Sequence, residues 1–351
     1  MTGFSVRRRQ LARLLGGLCV AAPFISPQAW AAEPIVATDT QGPGCRGNLL
    51  VAGPPHGELD SWGTAILPEL DRALPGKELA KRTSGGADGV TGANQFDARA
   101  VPDGETALLA PGAAILAWLA GDPRAQFDPS RWIFVMAGVA PSILAGRITA
   151  AELATSRTVR LATSNLAGPN LAALLTLELL GGRAGLVYCM DQDSALDAFR
   201  SGKADVALLH GEQVPYRLER LRAEGCQPIL SLGEDPGFPG VPDLATTFRE
   251  LHGKPPSGWL FTAWRAAARA TQLPFALVLP ALTPAAMVAL WRRAGGQVAS
   301  SPLVQAAASS LAIRPVASVA ANSLPEDLAL DAGTLLELRS WLAARIGWRG
   351  S

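Results

Sequence analysis

The chain has 351 residues, 48% of them hydrophobic and 17% charged, with a formal net charge of +1. That length suits two domains of ordinary size, and the composition excludes an intrinsically disordered chain. With no basic run beyond the N-terminal segment, the charge pattern also argues against a nucleic-acid-binding surface.

The N-terminus comes first. Arg7-Arg8-Arg9 precedes an apolar run from Leu11 to Phe24, and Ala29-Trp30-Ala31 follows. A basic start, a short apolar stretch and an A-x-A end mark an export signal. The run is too short and too interrupted for a membrane span. Arg8-Arg9-Gln10-Leu11 also fits a twin-arginine signal, so both export routes stay open. Residues 1–31 are therefore read as a signal peptide cleaved near Ala31, and the remainder carries a net charge of −3. Cys19 follows Leu18, where a lipoprotein site would want a small residue. Three cysteines remain, Cys45, Cys189 and Cys226. In an oxidising compartment Cys189 and Cys226 are the pair expected to close a disulfide, the alternative being three buried thiols. No C-x-x-C spacing suggests zinc or redox chemistry.

Strands and helices then alternate. Leu49 to Val51 reads as a short strand, and Asp60 to Leu74 has helical spacing through Trp62, Ile66, Leu67 and Leu70. A glycine turn and helix occupy 85–100, strands 106–110 and 132–137, and a helix 113–120. A second series begins at Ala140, with strands at 158–162, 185–188 and 205–208 and helices at 170–180 and 194–200. The Pro/Gly-rich stretch from Gly233 to Val241 reads as a surface connection. Helices are expected at 259–270, 284–294 and 332–346, with a strand at 275–279. Such alternation predicts parallel α/β sheets with ligands at the carboxyl ends of the strands.

The stretch Gly85-Gly86-Ala87-Asp88-Gly89, running into Gly92-Ala93-Asn94, is the most informative. Glycines there leave backbone N–H groups uncovered near a helix start, where an anion can be held without charged side chains. Pro102-Asp103-Gly104 with Thr106, and Phe127-Asp128-Pro129 before an aromatic strand, follow in order. This series resembles the tripartite tricarboxylate transporter receptor family, the TctC-like or Bug periplasmic solute-binding proteins. Leu49 to Asp60 is similar to the family's first strand and its Pro-Pro-Gly-Gly-x-x-Asp loop, with His56 and Glu58 where the family commonly has glycine. Thr158 to Asn170, Gly202-Lys203-Ala204-Asp205-Val206 and Val241-Pro242-Asp243-Leu244 resemble later family segments in the same order.

The resemblance implies an α/β, two-lobe periplasmic-binding-protein-like fold with a ligand cleft between the lobes. It assigns 32–140 and 257–351 to a discontinuous first lobe and 141–256 to a second. It also places candidate ligand contacts in four loops. These are Pro55, His56, Gly57 and Asp60; Ser84, Gly85 and Gly86; Ala110 and Gly112; and, on the second lobe, Thr163, Ser164 and Asn165. Each loop could instead be an ordinary turn or cap, since Ser, Asn, Asp and Gly serve both purposes. Asp88 is also a candidate cap. Glu58, if it pointed inwards, would repel an anion. Tyr188 to Asp191 matches the family poorly and adds negative charge at Asp191 and Asp193. His210 faces either cleft or core.

No enzyme chemistry is proposed by the sequence. The three histidines, His56, His210 and His252, show no metal-binding spacing, and no G-x-S-x-G elbow or Walker motif occurs. No cofactor and no metal are expected. The expected protein is a periplasmic monomer that captures a small organic acid, partnered, as the resemblance implies, by the membrane subunits of a tripartite tricarboxylate transporter. The alternative is a binding or sensor protein for a neutral or cationic solute without a dedicated transporter.

Overall fold

The computed structural model describes residues 47–348, apart from positions 75, 77, 156–157, 165–167, 234–237, 318–320 and 322 and the side chain of Gln192. The export signal, Cys45 and Asn165 lie outside the described residues. Strands are β1 (Gly47–Val51), β2 (Leu79–Thr83), β3 (Thr106–Ala110), β4 (Ile133–Val139), β5 (Ile143–Gly146), β6 (Thr158–Thr163), β7 (Arg183–Tyr188), β8 (Val206–Leu209), β9 (Gln227–Ser231), β10 (Phe275–Leu279) and β11 (Arg314–Ala317). The helices used below are α1 (Glu58–Ala73), α2 (Val90–Arg99), α3 (Gly112–Leu119), α4 (Ala150–Leu153), α5 (Asn170–Leu179), α6 (Gln192–Arg200), α7 (Val214–Arg222), α8 (Leu244–His252) and α9 (Trp259–Thr271). They continue with α10 (Ala285–Ala299), α11 (Pro302–Ser310), α12 (Leu324–Leu328) and α13 (Ala332–Ile346).

Two sheets form. The first has the order β11-β4-β10-β3-β1-β2, and the second β7-β6-β8-β5-β9. Parallel pairing holds for β1 with β2 and β3, and for β6 with β7 and β8. The expectation of uniformly parallel sheets fails elsewhere: β10 is antiparallel to β3 and β4, β11 to β4, and β5 to β8 and β9. The reason lies in the crossing between sheets. Only Ala140, Pro141 and Ser142 separate β4 from β5, a reach of about 10 Å. So β5 has to start at the junction and run away from it, whereas β6 and β8 run towards it. β10 starts beside the end of β4, Phe275 opposite Gly138, and also runs away. Backbone bonds close the crossing: Ala140 N donates to Gln272 O, and Leu232 N to Ser142 O, both at 2.8 Å.

One apolar core runs through both sheets. α5 is apolar all round and nearly every residue in it is buried, as expected for a helix covered on all sides. Its partner α9 buries Ala263, Ala266, Ala267, Ala268 and Ala270. These small side chains let the two helices approach closely, and Trp264 Nε1 donates to Thr176 Oγ1 at 2.9 Å across the contact. Each fully buried Leu here contributes roughly 1.5–3 kcal/mol.

Several elements escape a reading by periodicity. β2, Leu-Ala-Lys-Arg-Thr, is a polar edge strand, and β5, β9 and β11 are only four or five residues long. The proposed Cys189–Cys226 disulfide is absent, and both residues are free thiols. Cys189 follows β7 and Cys226 precedes β9, the opposite edges of the second sheet. Four strand spacings put them on the order of 19 Å apart, far beyond the roughly 7 Å that a disulfide spans.

Candidate functional site

The first candidate loop joins β1 to α1. Pro54 O accepts from Gly57 N at 3.2 Å, closing a tight turn, and His56 takes a left-handed backbone with φ 64°. Asp60 holds this turn from within the helix. Its Oδ2 accepts from His56 N at 2.9 Å, and Oδ1 pairs with Lys81 Nζ at 2.5 Å. The Lys81 ammonium, then the His56 amide, keep the Asp60 carboxyl below the usual aspartate range. Asp60 is thus a brace whose two oxygens are both engaged, while Pro55 and the His56 side chain are exposed.

In the second loop, Ser84 is buried; its N–H donates to Val51 O at 2.8 Å and its Oγ to Gln95 Oε1 at 2.7 Å. Beyond it Gly85, Gly86 and Ala87 are exposed, and their amides donate to no acceptor among the described residues. Gly86 has φ 96°, a conformation that favours glycine. Asp88 is turned away: Oδ1 accepts from Val90 N at 3.2 Å and Oδ2 pairs with Arg124 at 2.8 Å. Its charge is therefore answered inside the protein. Gly89 and Gly92 have a different task. A Cβ on Gly89 would lie 2.5 Å from Pro111 Cδ, and one on Gly92 2.6 Å from Ala52 Cα. These two glycines bring the first three loops into contact.

The third loop is buried. Ala110 is 1% exposed, and Gly112 donates its amide to Leu273 O at 2.8 Å. A Cβ on Gly112 would overlap Ala270 O, so glycine there permits the close approach of α9.

On the second sheet, Thr163 ends β6 fully buried, and its Oγ1 has no hydrogen-bond partner. Its carbonyl accepts from Cys189 N at 2.8 Å. Ser164 is exposed. The loop continues to Pro169, whose carbonyl accepts from Thr271 Oγ1 at 3.4 Å. Thr271 is next to Ala270, the residue that meets Gly112, so the third and fourth loops abut the same end of α9.

The β8–α7 loop supplies residues that periodicity did not single out. Trp62 of α1 tilts against Phe275, with ring centroids 4.6 Å apart, and its Nε1 donates to Glu212 Oε1 at 3.1 Å. Gln213 N donates to Leu311 O at 2.8 Å nearby. Around this contact lies a cavity of about 290 Å³ lined by His56, Glu58, Ser61, Trp62, Glu212 and Leu311, among others. Burial, then the Glu58 charge, push the Glu212 carboxyl above the usual glutamate range. Glu212 follows a strand just as the other loop residues do, and that position was the available signal. His210, two positions before it, is half-buried. Burial, with Arg217 beside it, lowers its pKa to about 4. No group of three or more His, Cys, Asp or Glu side chains suited to a metal ion occurs among the described residues.

No protein-family model and no curated protein matches the sequence. Solved structures do match. A TctC solute-binding protein from Polaromonas aligns with 87% of this chain and 100% of its own, at 15% identity and a TM-score of 0.66. This chain has the TctC solute-binding-protein fold. MatC from Rhodopseudomonas palustris, solved with bound malate, shares it at 19% identity and a TM-score of 0.52, over 87% of this chain and 100% of MatC. An R. palustris protein solved with adipate does so at 16% identity and a TM-score of 0.52, over 88% and 99% of the two chains. In this TctC-type fold the loops described above follow the carboxyl ends of β1, β2, β3, β6 and β8, where open α/β sheets receive ligands.

Proposed function

We propose that this chain is an exported periplasmic solute-binding protein that captures a small organic anion, a carboxylate, for uptake by a tripartite tricarboxylate-type transporter. The observation that carries the reading is the exposed turn Gly85–Ala87, whose successive amides are open to an incoming anion. Exposed Ser164 and His56 would complete the polar lining, and Thr163 Oγ1 is a buried group without a partner. Asp60, Ser84, Ala110 and Gly112 would act by shaping the loops. Malate and adipate bound to proteins of the same fold support the ligand class. Strand membership in the two sheets supports lobes at 32–140 with 257–351 and at 141–256. Binding by a monomer, without catalysis or cofactor, is part of this reading.

Thermal melting and calorimetry of the mature protein with malate, adipate and citrate test it. Ligand at about 100 times Kd adds roughly 2.7 kcal/mol to stability; no shift and no heat with any of the acids would sink the carboxylate reading.

A second reading, capture of a cationic solute, is favoured by Glu58 and Glu212 lining one cavity. Glu58→Gly separates the two. The variant should bind a carboxylate at least as well as the natural chain, or lose binding if the ligand is cationic.

A further inference from the structure

We propose that a second cavity, at the crossing between the sheets, is a binding site for a small planar anion of the aromatic carboxylate class. It measures about 390 Å³ and lies between α9, the Leu232–Gly233 segment that follows β9, and α12. That volume falls in the range of small-molecule sites.

One wall is flat and fixed. Phe261 and Trp264 stack with ring centroids 5.5 Å apart and planes inclined by 13°. The Trp264 indole is pinned by its hydrogen bond to Thr176. Such a wall suits another planar ring.

Among the described residues, Arg265, Arg269 and one carboxylate, Asp327, line the cavity, and Asp327 pairs with Arg269 Nε at 3.4 Å. Arg265 is exposed at the mouth and makes no ion pair among the described residues. A guanidinium fork matches a carboxylate in two parallel hydrogen bonds. The floor is polar: Gln272, only 2% exposed, lies against Gly233, where any Cβ would collide with its amide. A stacked wall, a guanidinium at the mouth and an amide at the floor together fit a flat ring bearing one carboxylate. None of these groups belongs to the loops assigned to the first ligand.

Benzoate is the probe. Calorimetry on the mature full-length chain, with tryptophan fluorescence as a second readout, should show one saturable site. Arg265→Ala should weaken benzoate at least roughly tenfold, as expected for losing a charge-assisted pair, with the melting temperature unchanged because Arg265 is exposed. Arg265→Lys should recover only part of the affinity, since an ammonium lacks the fork. Gly85→Ala, in the exposed turn, should leave benzoate affinity unchanged. Absence of benzoate binding up to roughly 10 mM, a range that covers even weak sites, would overturn the proposal. So would equal affinity in Arg265→Ala, or loss of benzoate in Gly85→Ala. Failure of malate, adipate and citrate to bind would count against the loop site alone.

Discussion

Trp62 of α1 donates its indole N–H to Glu212 of the β8–α7 loop at 3.1 Å, so a helix packed on the first sheet is tied to a loop of the second. Glu212 accepts this bond while burial and the nearby Glu58 favour its neutral form. The other charged or titratable groups around it are His56, which lines the same cavity, and Arg217 on α7.

The pH consequence has a definite sign. A carboxyl whose pKa is higher in the folded state stabilises the fold while protonated, and that contribution is lost as pH rises through the folded value. Glu212→Gln keeps an acceptor for Trp62 but cannot ionise. Urea denaturation across pH 4–8 should show the variant equal to or slightly more stable than the natural chain near neutrality, with a flatter profile above the ordinary glutamate range. A steeper profile in the variant would refute this account.

His210 acts in the opposite direction. Its pKa of about 4 lies below the usual histidine value, so unfolding takes up a proton as pH falls. Stability is intact above pH ~6.5 and is lost progressively down to pH ~4, by about 1–3 kcal/mol. In His210→Gln that share of the acid sensitivity should disappear, as read from melting temperatures at pH 7 and pH 4.5.

Glycines of the second loop should divide by task. Gly92→Ala forces a Cβ to 2.6 Å from Ala52 Cα and should cost about 1–3 kcal/mol of stability by overpacking. Around Gly85 there is open space, so Gly85→Ala should change stability by less than about 0.5 kcal/mol. Under the proposed function it should nevertheless weaken carboxylate binding. Chemical denaturation and calorimetry on the same two variants measure both effects.

Asp60→Ala removes the bond to His56 N that holds the first loop and leaves Lys81 without its carboxylate. A loss of about 2–4 kcal/mol is expected. The Asp60 pKa is depressed, so its contribution is present at neutral pH and fades in acid; the gap between the two proteins should narrow towards pH 2. An unchanged gap would mean that the Lys81 pair contributes little.

The thiols give a direct check on topology. Cys226 is buried and its pKa is pushed up to about 11, whereas Cys189 is half-exposed. A thiol reagent should label Cys189 in the native protein and reach Cys226 only after unfolding.

The sequence by itself determined the alternation of strands and helices, the order of the glycine-bearing loops and hence the class of fold. Those signals are local: they depend on apolar spacing and on residues that permit a turn. Gly85 and Gly86, read from the sequence as a glycine turn with uncovered amides, are exposed. Only the tertiary structure decided which glycine serves which purpose, because an amide is open or engaged according to what packs on it. Gly112 looks like Gly85 in sequence, yet its amide goes to Leu273 and its bare Cα admits α9. The antiparallel β5 and β10 were likewise hidden, since their direction follows from a three-residue crossing rather than from their own residues. Glu212 and Trp62, 150 positions apart, meet only because two sheets set their loops at one junction.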